Sequence, residues 1–192
     1  MDPLTQIALL LINTGISVYL MLVWLRFLLQ MAGADFYNPM SQFVVRATSS
    51  VLHPLRRIVP SLFGLDTAAL VLIYLLKLLQ LSIVAQLTGQ GMSPVELAVT
   101  ALFLLLLAAA SFFFWVILGM VILSWVAMAS NGVSPGFMPI LQIAELILAP
   151  CRRLLPNMGG FDLSPIIAFL AIKVFEILVG AAYPQVMSAL GY

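Results

Sequence analysis

Arg56-Arg57 in "HPLRRIVP" and Arg152-Arg153 in "APCRRLLP" make up four of only eight basic residues in a chain of 192. A guanidinium donates hydrogen bonds in a planar fork and keeps its charge at physiological pH, which suits carboxylates and phosphates. Two readings of the pairs stand side by side. They bind acidic lipid headgroups or acidic partner residues, or they serve only as a charge that orients the chain across a membrane. Asp66 in "GLDTAAL" and Asp162 in "GFDLSPI" follow the pairs and precede apolar runs. Each carboxylate can cap exposed helix amides or pair with the nearby arginines. In the second stretch Ser164, with Pro165 at the first helical position, is an alternative cap.

A second set of polar residues lies inside apolar sequence. Lys77 and Lys173 each come 11 residues after an aspartate, or ~16 Å along a helix. That is close to the middle of a ~30 Å hydrocarbon layer, where an unpaired charge is expensive. Glu176 follows Lys173 at i+3 and Gln80 follows Lys77 at the same spacing, so each pair shares a helix face. The four residues are expected to form one polar cluster between the two halves of the chain, with Glu176 close to at least one lysine. A structural polar pair and a polar pathway or ligand site both remain open for them.

Little else offers reactive chemistry. One His, one Cys and no close carboxylate pair leave no acid–base or nucleophilic set, so the chain reads as a non-enzyme. A metal needs three or four convergent donors, and the spacing provides none. His53 reads as an interfacial residue rather than an axial haem ligand, because Ala149 occupies its place in the second stretch. Cys151 aligns with Leu55 and reads as an apolar contact. "NMGGF" at 157–161 has no phosphate-loop pattern and reads as a turn. No resident cofactor is expected.

The elements that position these residues are membrane helices. The chain is 64% hydrophobic and 8% charged, against about 45–50% apolar and 25% charged in soluble domains. A net charge of +1 excludes a broad basic surface for nucleic acid. Four apolar segments, at 4–31, 67–88, 95–129 and 164–190, each exceed the ~20 residues that span a bilayer. The N-terminal run lacks a basic leader and a small-residue cleavage site, and is expected to be retained as the first span.

The arginine phrases belong to a longer repeat with an offset of 96. Pro54, Arg56, Arg57, Pro60, Gly64, Asp66, Lys77 and Gln80 match Pro150, Arg152, Arg153, Pro156, Gly160, Asp162, Lys173 and Glu176. Rare charged residues match here, which shared apolar composition cannot explain. The chain therefore divides into repeats 1–92 and 93–192, each helix–loop–helix. Two spans per repeat insert both copies in the same sense, as parallel repeats. The positive-inside rule agrees: Arg46, Arg56, Arg57, Arg152 and Arg153 lie in the loops between spans, and Arg26 lies near the same end. The opposite side has only Asp2 and Glu96. Both arginine loops are expected in the cytoplasm and both termini outside.

Within the loops, 40–52 and 137–148 are too short to span and read as amphipathic helices, interfacial or re-entrant. In the first, Met40, Phe43, Val44, Ala47 and Val51 form the apolar side, with Ser41, Gln42, Arg46, Ser49 and Ser50 turned away. Pro54 and Pro150 are expected to end these helices, since the residue before proline is pushed out of helical geometry.

Doubled helix pairs with "P-x-R-R-x-x-P" followed by a "G-x-D" turn resemble the YggT family of bacterial integral membrane proteins, also called YlmG-like. The resemblance runs from Arg26 to Glu176. It implies a multi-pass protein of the bacterial inner membrane, linked to osmotic-shock tolerance and ion homeostasis. Plastid and cyanobacterial relatives of that family are linked instead to cytochrome haem-attachment assembly and to nucleoid or division organisation. Two function classes follow: a transport-type protein for ions, and a membrane scaffold or assembly factor docking lipid or partner proteins through its arginine loops. Anionic membrane lipids are the expected partners, with a protein partner or a homo-oligomer left open.

Overall fold

A computed structural model describes residues 2–62, 64–130, 132, 134–155 and 162–192. Among the described residues there are six α-helices: α1 Pro3–Met31, α2 Pro39–Ile58, α3 Thr67–Thr88, α4 Pro94–Ser130, α5 Met138–Arg153 and α6 Ser164–Ala189. The fold is all-α, and α1, α3, α4 and α6 are long and apolar enough to cross a membrane. At 37 residues α4 is ~55 Å long, well beyond the hydrocarbon thickness.

Local chemistry sets several boundaries. Pro3 and Pro39 open α1 and α2 at positions where a missing N–H costs nothing. Before α4, Ser93 Oγ accepts from the Glu96 amide at 3.1 Å while the Glu96 carboxylate accepts from the Ser93 amide, a reciprocal capping box. Gly89 ends α3 in the left-handed region at φ +69°, where a Cβ would be strained.

Two expectations about the short helices change. Helix α2 runs on through Pro54 to Ile58 and α5 through Pro150 to Arg153, so both arginine pairs occupy the last turn of a helix and not a loop. Packing on both sides of each proline outweighs the local preference. Leu52 and Leu148 are fully buried, and Cys151 nearly so. The faces of α2 also differ from the apolar pattern. Ser41, Val44, Thr48 and Leu52 turn inward, while Phe43 and Val51 are exposed. Thr48 is kept inward because, with Ser49 beside it, it has a charged partner in α1, Arg26.

Helix α3 packs on α1 and α4, and α6 packs on α4 and α5. Val23, Leu28, Leu29, Val44, Leu52 and Ile73 form the core of the first half, joined by Ile143 from α5. Ile117, Ala144, Leu148, Ala168 and Ile172 form that of the second. The connections that carry α2 and α5 meet at one end, where Asn38 Nδ2 donates to the Pro135 carbonyl at 2.7 Å. At the other end the Ser93 hydroxyl donates to the Tyr192 hydroxyl at 2.7 Å.

Candidate functional site

The end bearing both arginine pairs is built around Arg26, which sits one and a half turns before the end of α1. Its Nη1 donates to the Val45 carbonyl and the Thr48 hydroxyl at 2.9 Å and to the Ser49 hydroxyl at 3.0 Å. The side chain is only 8% exposed. Sequence reasoning gave Arg26 no role beyond orientation. The signal that marks it is the run of small hydroxyl residues on α2, Thr48-Ser49-Ser50, which has no counterpart in α5.

The arginine pairs divide their work. Arg56 forks onto Asp66 through Nε and Nη2, and Asp66 is 4% exposed. Asp66 Oδ1 also accepts from the Ala69 amide at 3.3 Å and caps α3. In the second half Arg152 Nε donates to Asp162 at 2.8 Å, and its Nη1 reaches both Glu145 oxygens at 2.7 and 2.8 Å. Asp162 accepts from the Ser164 amide at 2.9 Å, one residue ahead of the helix cap, and so ties the turn without being the cap itself. Ser164 is likewise inside the helix and does not cap it. Arg57 and Arg153 are exposed and, among the described residues, have no hydrogen-bond or ion-pair partner. The first arginine of each phrase thus closes onto the aspartate ten positions on, and the second faces outward. Pro156 and Gly160, which complete the second copy of the pattern, lie outside the described residues, as does the "NMGGF" stretch.

These contacts shift the ionisable groups of the second half. The Glu145 hydrogen bond raises the Arg152 guanidinium above its usual range, with burial opposing and Asp162 adding to the rise. Burial pushes the Asp162 carboxyl up, but hydrogen bonds from Ser164 and Arg152 outweigh it and hold it below the usual carboxylate value.

The intramembrane residues form two separate pairs, not one cluster. Lys77 Nζ donates to Gln80 Oε1 at 3.0 Å, and Gln80 Nε2 donates to Asn13 Oδ1 at 3.1 Å and the Ser17 hydroxyl at 3.2 Å across to α1. Lys77 also lines a cavity of about 270 Å³ with Ser17, Ser111 and Trp115. Lys173 pairs with Glu176 at 2.7 Å on the exposed face of α6, with the lysine side chain 56% exposed. Its ammonium lies 5.1 Å from the centre of the Phe114 ring, within cation–π range. Each lysine stays with its own repeat because α3 and α6 pack on different sides of α4. His53 is exposed and Cys151 is buried in the second core. Among the described residues, no three His, Cys, Asp or Glu groups converge on a metal position.

The sequence profile of the family described as CCB3/YggT matches the chain twice, over residues 5–87 and 99–183. An uncharacterized Pseudomonas aeruginosa protein is 46% identical over 181 residues, covering 93% of this chain and 91% of its own. The uncharacterized protein YggT of Escherichia coli K12 is 39% identical over 181 residues, covering 94% and 91%. A Vibrio alginolyticus protein is 42% identical over 174 residues, covering 88% and 91%. No solved structure matches.

Proposed function

The chain belongs to the CCB3/YggT family, and from that premise we propose that it supports tolerance of osmotic shock at the bacterial inner membrane, as a docking platform and not as an enzyme. Its working surface is the end bearing α2 and α5, turned to the cytoplasm with both termini outside. The two helices lie at the level of the inner-leaflet headgroups. The observation that carries this reading is the division within each arginine pair. Arg56 and Arg152 are held by carboxylates, which fixes the last turns of α2 and α5. Arg57 and Arg153 are then presented outward without a protein partner. Near an anionic leaflet each basic residue gains ~1 kcal/mol, so two supply ~2 kcal/mol, or about 30-fold in binding. Osmotic tolerance itself comes from the family resemblance.

The test is complementation of a deletion strain under osmotic shock, paired with binding of the purified protein to vesicles rich in phosphatidylglycerol. Arg57→Gln with Arg153→Gln is expected to lower both, while membrane insertion is kept. Arg57→Lys with Arg153→Lys retains orientation and recovers only part. Full tolerance and unchanged binding in the glutamine variant would reduce the arginines to an orientation signal.

Passage of an ion is the second reading, and the cavity beside Lys77 favours it. Flux through the purified protein in liposomes, abolished by Lys77→Met, would put that reading first.

A further inference from the structure

A cavity of about 420 Å³ opens between the end of α1 and α2, and three guanidiniums line it: Arg26, Arg46 and Arg56. Gln30 and Gln42 complete its polar wall. Three like charges around one space repel one another unless something neutralises them. Asp66 is the carboxylate bonded to this group, and it is bonded to Arg56 alone.

Donor capacity is left over. Among the described residues, the hydrogen bonds of Arg26 all leave from Nη1, those of Arg56 from Nε and Nη2, and Arg46 has none. Arg26 Nε and Nη2, Arg56 Nη1 and the whole Arg46 fork therefore remain for a ligand. Arg26 is locked by α2, so one wall of the cavity is preorganised and no ordering of that side chain opposes binding. A small tetrahedral anion with several acceptor oxygens fits such a set of forks, and guanidinium–phosphate pairs are among the stronger charge-assisted contacts.

The other half of the molecule supplies the contrast. At the equivalent positions it has Ile122 for Arg26, Val126 for Gln30 and Gln142 for Arg46. Arg152, the counterpart of Arg56, is already engaged by Glu145 and Asp162. The duplication has therefore kept the Arg–Asp tie in both copies and the arginine cavity in one.

We propose that the first-repeat cavity binds a phosphate group, carried by an acidic phospholipid headgroup or by a soluble phosphate. The inference deepens the platform reading, resting on its placement of this end at the headgroup level, and it locates the anion site in one repeat.

The purified full-length protein in phosphatidylcholine nanodiscs, titrated with phosphatidylglycerol and separately with inorganic phosphate, tests it. Arg26→Gln removes a fixed wall but also a tie between helices, so Arg46→Gln is the decisive variant. Arg46→Gln is expected to weaken phosphatidylglycerol binding about tenfold, the loss of one charge-assisted contact. Gln142→Ala, at the counterpart of Arg46 in the second repeat, is expected to leave it unchanged. Competition by millimolar inorganic phosphate would identify a soluble phosphate as a ligand of the cavity, and binding insensitive to it would identify the lipid. Equal losses in Arg46→Gln and Gln142→Ala would overturn the cavity while leaving the platform intact. Wild-type binding in Arg46→Gln, with binding lost in Arg57→Gln plus Arg153→Gln, would do the same.

Discussion

The two repeats share a frame and differ in what the frame holds. Both close an arginine at the end of a short helix onto an aspartate that precedes a membrane helix: Arg56 onto Asp66, Arg152 onto Asp162. In the first repeat the aspartate is buried and the neighbouring helices are joined by polar contacts, Arg26 to α2 and Gln80 to α1. In the second repeat the same ion pair is half exposed, and most of the other joins are apolar, the Thr100–Tyr183 hydroxyl contact at 2.9 Å between α4 and α6 being an exception. Ala109 and Phe113 stand where Asn13 and Ser17 do, and Ala144 where Thr48 does. A duplicated fold can thus keep its geometry while one copy carries the larger share of polar ties and the other relies more on packing.

The sharpest way to break this comparison is at Arg26. Arg26→Met removes three hydrogen bonds from a buried guanidinium and is expected to cost ~3 kcal/mol. Ile122→Met, at the equivalent position and half exposed, is expected to stay within ~0.5 kcal/mol. Unfolding of the purified variants in mixed micelles measures both, and similar midpoints would erase the distinction between the repeats.

A smaller difference is expected at the aspartates. Asp66→Asn takes the charge from a buried carboxylate paired with Arg56 and weakens a helix cap, at ~2 kcal/mol. Asp162→Asn acts on a pair that solvent screens, with both side chains more than 40% exposed, and is expected to cost less than ~1 kcal/mol. The folded protein holds the Asp162 carboxyl below its ordinary value. Its contribution is therefore present above the unfolded-state value and lost as pH falls through the folded-state value. The gap between wild type and Asp162→Asn should be open at neutral pH and close on the acid side. A gap that widens in acid would contradict the direction of the shift.

The smallest effects concern the membrane interior. Asn13→Ala with Ser17→Ala removes two acceptors of Gln80 Nε2 while Lys77 keeps Gln80, and is expected to loosen α1 from α3 by ~1 kcal/mol, since interhelical hydrogen bonds in bilayers average ~0.6 kcal/mol each. Replacing Lys173 and Glu176 together by Leu removes an exposed ion pair as a unit and is expected to be neutral or slightly stabilising. Thermal midpoints in bilayer discs distinguish them. A Lys173 and Glu176 double variant less stable than Asn13→Ala with Ser17→Ala would mean that the pair, through the Phe114 ring, ties α6 to α4.

Four spans, the duplication and the family were legible in the residues. Hydropathy over ~20 residues is a local property, and a repeated pattern of rare charges survives without any knowledge of packing. The spacing of Arg56 to Asp66 and of Arg152 to Asp162 was also visible, although capping and pairing could not be separated, and at Asp66 the fold uses both. The course of α2 and α5 through Pro54 and Pro150 was not legible, because buried neighbours decided it against a local preference. Nor was the separation of Lys77 from Lys173, which depends on α3 and α6 packing on different sides of α4.

Sequence by itself thus determined the helices, their repeat and the identity of the charged residues, because these follow from composition and periodicity along one chain. Only the tertiary structure decided what each charge meets. Arg26 reads as a plain orientation charge until α2 lays Thr48 and Ser49 against it, 22 and 23 positions away in the chain. Arg46 joins Arg26 and Arg56 around one cavity for the same reason. Electrostatic energy depends on distance in space and on burial, and neither is written in the spacing of residues along the chain.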